Sequence, residues 1–294
     1  MPNKFDEAVQ AVINGDTDKL QQFLSGDPDL VRARSSESHR ATLLHYLGAN
    51  GVENGLQKTP PNAVDVCRIL LEAGAEAEAT PSIYSKGTTT LTLVASSIHP
   101  FRAGVQEDLV RALIAGGANP NGPNDDGRPL QIATSFGYRG TVDTLVSCGA
   151  KIRHIVDAAA AGDLEQLKEW IDEDGNVDPA GAQFGQGDNH NRFAWPPPFG
   201  CAPKELGLVY ASRLGREKVV DFFLDRGTEI DAAPVNGETG LHWAAFYYTN
   251  DIIPHLLHRG IDVSIENYEY QTAEELAISS GNKKGAELIA RANA

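Results

Sequence analysis

Three side chains in this sequence have the types that proton transfer needs: Glu53, Lys58 and His99. A carboxylate and a histidine titrating near neutrality are the usual tools of general acid–base work. No specific motif joins them, so any catalysis by this set requires the loops that carry them to enclose a pocket. His255 and His258 stand three apart on one predicted helix and could present two imidazoles to a metal. No cysteine or carboxylate follows them at a ligand spacing, and no metal site is expected. Asp188, Asn189 and His190 form a polar turn. Phosphate-loop, dinucleotide, serine-elbow and kinase signatures are all missing from the sequence, and no cofactor is expected. Cys67, Cys148 and Cys201 are odd in number and widely spaced, which fits neither a disulfide framework nor a zinc site. Cys67, among Val66, Ile69 and Leu70, reads as a small core residue.

The composition narrows the range of partners. The 294 residues are 41% hydrophobic and 22% charged, values of a folded chain with a sizeable core. Acidic residues (40) outnumber basic ones (25), for a net charge of -15. That balance weighs against nucleic acid and anionic membrane surfaces and favours a basic or neutral protein partner. No stretch of about 18 apolar residues is present to span a membrane. The opening MPNKFDEAVQAVINGD reads as an amphipathic helix rather than a signal peptide, and a reduced, cytoplasmic setting is expected.

The elements that must position these side chains are repeated. Two apolar residues, two variable ones and a glycine recur as LLEAGAEAEA from Leu70, LIAGGANPNG from Leu113, LVSCGAKIR from Leu145, FLDRGTEIDA from Phe223 and LLHRGIDVSI from Leu256. Seventeen residues before the apolar pair of the last copy stands TGLHWAA at Thr239. Related openings are TLLHYLG at Thr42, TTLTLVA at Thr89, RPLQIAT at Arg128 and TAEELAI at Thr272. The threonines fall where a hydroxyl can cap a helix, and Gly74, Gly117, Gly149, Gly227 and Gly260 fall where a helix ends left-handed.

This pattern resembles the ankyrin repeat: a turn, T-P-L-H-x-A-A, a short loop and a second helix ending in L-L-x-x-G-A. The resemblance covers nearly the whole chain. It implies an all-α solenoid, here a single domain over 1–294 with repeats starting near 6, 42, 89, 128, 153, 206, 239 and 272. The first and last read as capping repeats. The resemblance also implies that His45 and His242 are structural, bonded to backbone. Thr92 and Gln131 replace that histidine in two repeats.

Departures from the 33-residue period have definite places. In the second and third repeats the second helix is delayed by 11 and 7 residues. Both inserts fall between the two helices, so neighbouring repeats would bring the loops side by side, with Asn50, Glu53, Gln57, Lys58, His99, Arg102 and Gln106 at one edge. Loops also tolerate insertions at little cost, so decoration of the scaffold stays open. A third departure, the 173–205 segment with Trp195, reads as an ordered flap. The turn before the third repeat projects Tyr84 and Lys86.

In ankyrin proteins contacts come from turn tips and outward positions of the first helix. Carried over, these positions are Ala49-Asn50, Ser96-Ser97, Ser135-Phe136, Arg213-Leu214 and Phe246-Tyr247, with Tyr46, Tyr210 and Trp243 beside them. The expected function is a non-enzymatic protein-binding scaffold. The alternative is a small polar ligand pocket, conceivably catalytic, built from the two inserts.

Overall fold

The structure is a computed structural model that describes residues 3–84, 87–182 and 202–292. These fall into two compact units that divide after Lys151. Among the described residues there is no β-strand, only three isolated bridges: Ile171 with Val177, Val235 with Glu238, and Glu266 with Thr272.

In the N-terminal unit, helices Lys4–Asn14 and Thr17–Gly26 form an opening pair. The inner row then runs through a 3-10 helix Leu43–Gly48 and helices Thr90–Ser96 and Arg128–Phe136, each packed on the next. The outer row is Ala63–Glu72, Gln106–Ala115 and Arg139–Ser147, also in successive contact. Close approach of the inner row depends on small residues. A Cβ on Gly48 would lie 2.6 Å from the Cβ of Leu93, so no side chain fits there without separating the helices.

The segment LLHYLG was expected to form an α-helix and is instead a tighter 3-10 helix of six residues. Ala49 ends it in the left-handed region (φ 45°), and the insert begins immediately after. The first insert carries only a short 3-10 turn, Asn54–Leu56. The second folds into a turn of helix, Ile98–Arg102, whose N-cap Ser97 accepts the amide of His99 at 3.4 Å.

The C-terminal unit contains helices Ile155–Ala161, Pro203–Arg213, Gly240–Phe246 and Ala273–Ser280 as its inner row. Leu164–Trp170, Glu217–Leu224, Ile253–His258 and Lys283–Ala290 are the outer partners. Phe223 is fully buried, and its ring fills the space where a Cβ on Gly207 would stand, 2.3 Å from Cζ.

The capping chemistry follows the sequence. Thr89 Oγ1 accepts the amide of Thr92 at 3.4 Å, and Thr272 Oγ1 accepts that of Glu275 at 3.3 Å. Glu275 returns the bond to the Thr272 amide at 2.9 Å, closing a capping box. The five repeat glycines have φ of 95°, 101°, 96°, 77° and 87°, which only glycine adopts freely. The cap of Ile155–Ala161 falls on His154, one residue after the expected Arg153. There the residues exchange roles: His154 Nδ1 accepts the amide of Asp157 at 3.2 Å, and Asp157 Oδ2 accepts that of Arg153 at 3.1 Å.

Candidate functional site

His45 and His242 are spent on the scaffold. His45 Nδ1 accepts the Thr42 amide at 3.0 Å, and its Nε2–H donates to the Ala79 carbonyl at 2.9 Å. His242 does the same with Thr239 (3.3 Å) and the Gln271 carbonyl (3.1 Å). One nitrogen must accept and the other donate, so both rings are neutral. Burial lowers His45 to about 4 and also lowers His242.

The two inserts border a cavity of about 470 Å³ in the N-terminal unit. That lies within the usual range for small-ligand sites. Helix Arg128–Phe136 contributes Arg128, Ile132 and Phe136, spaced four apart and hence on one face. Facing them are Thr88, Thr92 and Ser96, again four apart, with Leu93. Ser97, Ile98 and His99 come from the second insert, and Ala49, Asn50 and Gln57 from the first and its approach. Tyr84 and Tyr138 complete the lining.

The aromatic end is a stack. Tyr138 lies 4.6 Å from Phe101 at 24° and 5.9 Å from Phe136 at 19°, centroid to centroid. The rim is tied by hydrogen bonds: Tyr84 Oη donates to Asn50 Oδ1 at 2.7 Å, and Asn50 Nδ2 donates to Ser96 Oγ at 2.9 Å. Gln57 Nε2 donates to the Val52 carbonyl at 2.8 Å, which anchors the first insert. At the other end Arg128 Nε is 3.8 Å from Asp126 Oδ2. No described lining residue is a carboxylate.

Of the edge expected from sequence, Asn50, Gln57 and His99 line this cavity, joined by Tyr84 from the turn before the third repeat, whereas Glu53, Lys58, Arg102 and Gln106 do not. Glu53 is instead the acceptor of His39 Nε2–H at 3.1 Å. Lys58 and Arg102 are exposed. Gln106 is buried because it braces the second insert: Nε2 donates to the carbonyls of Val94 (2.8 Å) and Ser97 (3.1 Å), and Oε1 accepts from Thr141 (2.7 Å). The set considered for acid–base work is thereby divided, with only His99 facing the cavity.

The aromatic positions are divided in the same way. Tyr46 is a core residue, 2% exposed, edge-on to Phe5 and His39 at 6.4 and 6.1 Å. Burial, with Glu53 nearby, pushes its phenol up to about 12. In the C-terminal unit Trp243 (8% exposed), Tyr210 and Tyr247 close around Arg213, whose guanidinium lies 4.8, 5.6 and 3.6 Å from their ring centres. Three π-faces take the place of water around this buried cation. Burial lowers the Arg213 pKa. Trp243 and Tyr247 therefore pack inward, and Phe246 is the exposed member of the expected row. Trp195 and most of the 173–205 segment, like Lys86, lie outside the described residues.

Composition did not single out Tyr248, Tyr268 and Tyr270, which are 53%, 78% and 83% exposed. Asn267 builds the turn that carries two of them, its Oδ1 accepting the amides of Glu269 and Gln271 at 3.0 Å each. His255, weighed for a metal, bonds Asp221 Oδ1 at 2.9 Å.

Residues 208–294 match the family model for ankyrin repeats, in three copies. That C-terminal stretch carries ankyrin repeats. Curated relatives are long: 92 residues are 34% identical to "SH3 and multiple ankyrin repeat domains protein 2" of Homo sapiens, 30% of this chain and 5% of that one. A further 26% identity over 206 residues, 62% of this chain and 11% of the other, links it to "Ankyrin repeat domain-containing protein SAT10" of Stachybotrys chartarum. The ankyrin repeat domain of human ASB11 matches across 99% of this chain and 98% of its own at 17% identity, with a TM-score of 0.46. No helix among the described residues is long and apolar enough to cross a membrane.

Proposed function

We propose that this protein is a non-enzymatic binding module that docks a protein partner through the exposed aromatic surface of its C-terminal unit. Ankyrin repeats generally mediate protein–protein interaction. The observation that carries the reading is the exposure of Phe246 (46%), Tyr248, Tyr268 and Tyr270 on a rigid scaffold. Tyr270 is held at φ 59°, an unfavourable region for a residue with a Cβ, by the Asn267 turn. A turn fixed in this way presents its tyrosines with little ordering left to do on binding. The net charge of -15 favours a basic or neutral partner surface.

A panel of purified basic and neutral proteins, titrated by interferometry, tests this. Tyr268→Ala with Tyr270→Ala should weaken the best binder by at least about tenfold, as hot-spot tyrosines do, with thermal stability unchanged. Equal affinity for the double variant and the wild type would sink the reading.

The cavity of the N-terminal unit supports a second reading, binding of a small ligand. Its volume and its mixture of aromatic wall and hydroxyl-rich rim suit one, while the separation of Glu53 and Lys58 from His99 removes the support for catalysis by that set.

A further inference from the structure

We propose that the turn 267–271 of the C-terminal unit docks an arginine-bearing segment of the protein partner, one guanidinium lying on the Tyr268 ring and reaching Glu238 and Glu269. The proposal rests on the docking reading of that surface and adds the chemistry of the occupant.

The ring is held in place before anything binds. The Tyr268 amide donates to the Asn236 carbonyl at 2.9 Å, which ties this turn to the one that precedes helix Gly240–Phe246. A Cβ on Gly237 would stand 2.7 Å from Tyr268 Cδ1 and 2.9 Å from Cε1, so the ring rests against that glycine. Tyr268 is nonetheless 78% exposed, and Tyr270, two residues on, is 83% exposed. Among the described residues neither ring has an aromatic or cationic neighbour of its own. An aromatic face supported from one side and open to solvent on the other is a platform for a flat group. Little side-chain freedom is left to lose when such a group arrives.

The charge around the ring is negative. Glu266 and Glu269 are exposed and flank Tyr268 in the chain, and among the described residues no cation pairs with either. Glu238, half-buried in the neighbouring turn, accepts a hydrogen bond from the Asn267 side chain. Burial holds the Glu238 carboxyl above its usual pKa, the Asn267 bond opposes this, and the nearness of Glu269 adds to it. Two carboxylates close enough to repel gain from a cation set between them. Arginine suits the place better than lysine. Its planar group stacks on a ring while its fork of donors reaches carboxylates at the side, whereas an ammonium is compact and strongly hydrated. A second copy of this chain suits it poorly, because each copy carries a net charge of -15.

Fluorescence anisotropy of the full chain with labelled peptides, in which arginine, lysine or citrulline alternates with glycine, tests the proposal. The arginine peptide should bind, the lysine peptide at least about threefold more weakly, and the neutral citrulline peptide at least about tenfold more weakly. Glu269→Gln and Tyr268→Ala should each weaken the arginine peptide about tenfold at an unchanged melting temperature, while Tyr268→Phe, which keeps the ring, should not. Glu72→Gln removes the same charge from an exposed position of the N-terminal unit and should have no effect. Equal binding of the arginine and lysine peptides would overturn the guanidinium assignment. A loss from Glu72→Gln as large as that from Glu269→Gln would overturn the site, leaving only overall charge. Citrulline binding as tightly as arginine would hand the ring to a neutral partner and overturn the proposal. Self-association that disappears in Tyr268→Ala would overturn it in favour of a second copy. If the arginine peptide fails while a partner protein still depends on Tyr268 and Tyr270, the arginine assignment falls and the docking reading stands. If neither binds, both fall.

Discussion

At the scale of single residues, the buried imidazoles make stability depend on pH in a way that can be worked out by sign. His45 titrates at about 4 in the folded chain and near 6.5 in the unfolded chain. Between those values the unfolded state binds the extra proton, so stability is full above pH 6.5 and falls as the pH drops toward 4. The shift corresponds to a loss of about 3 kcal/mol by pH 4, and His242 adds to it in the same direction. Denaturant midpoints measured from pH 8 to pH 4 should show this decline, and His45→Gln should flatten it while lowering stability at pH 8. His154 and Asp157 behave differently because they shift in opposite senses. Burial lowers His154 to about 3 and raises Asp157 to about 7. Folded, the pair holds its proton on the carboxyl; unfolded between about pH 4 and 6.5, it holds one on the imidazole, so the two contributions offset. Asp157→Asn removes the offset and leaves His154 uncompensated. The variant's stability should fall more steeply than the wild type's below pH 6.5, and an unchanged slope would contradict the pairing.

At the scale of elements, the inserts are held by the repeats they interrupt. Gln106 fixes the second insert with two donated bonds and one accepted bond from Thr141. Gln106→Ala should cost about 2 kcal/mol, since it leaves buried carbonyls without partners. It should also speed amide exchange across residues 97–105, and a loss of stability without faster exchange there would mean the insert is held by something else. Gly48→Ala tests the inner row. Its new methyl group collides with Leu93 Cβ at 2.6 Å, and the expected penalty is about 1–3 kcal/mol by urea unfolding. The threonine caps and glycine ends of these elements were readable in the sequence because capping is local: a hydroxyl reaches an amide three residues on, whatever the rest of the chain does. The 3-10 character of Leu43–Gly48 was not, because it depends on how the chain leaves Ala49 for the insert.

At the scale of the whole molecule, the proposed docking role assigns the charge of -15 to encounter and the exposed tyrosines to residence. With a basic partner, the association rate should fall as salt is raised from 50 to about 500 mM, because screening shortens the reach of the field. Tyr270→Ala should leave that slope alone and raise the dissociation rate. Stability should separate the two classes of aromatic residue as well: Trp243→Ala opens a cavity beside Arg213 and should cost about 3–5 kcal/mol, while Tyr270→Ala should stay within roughly 0.5.

The sequence by itself determined the helix pairs, their caps, the structural role of His45 and His242, and the two inserts, since each follows from local spacing and a repeated pattern. It also placed Asn50, Gln57, Tyr84, His99 and Phe136 among the residues facing outward, and these meet at the cavity. It did not determine partners that lie far apart in the chain. Glu53 belongs to His39, Gln106 to Thr141, and Trp243 to Arg213, and each pairing engages a side chain whose type alone suggested function. Only the tertiary structure decides such matters, because the partner a polar or aromatic group meets comes from a distant part of the chain.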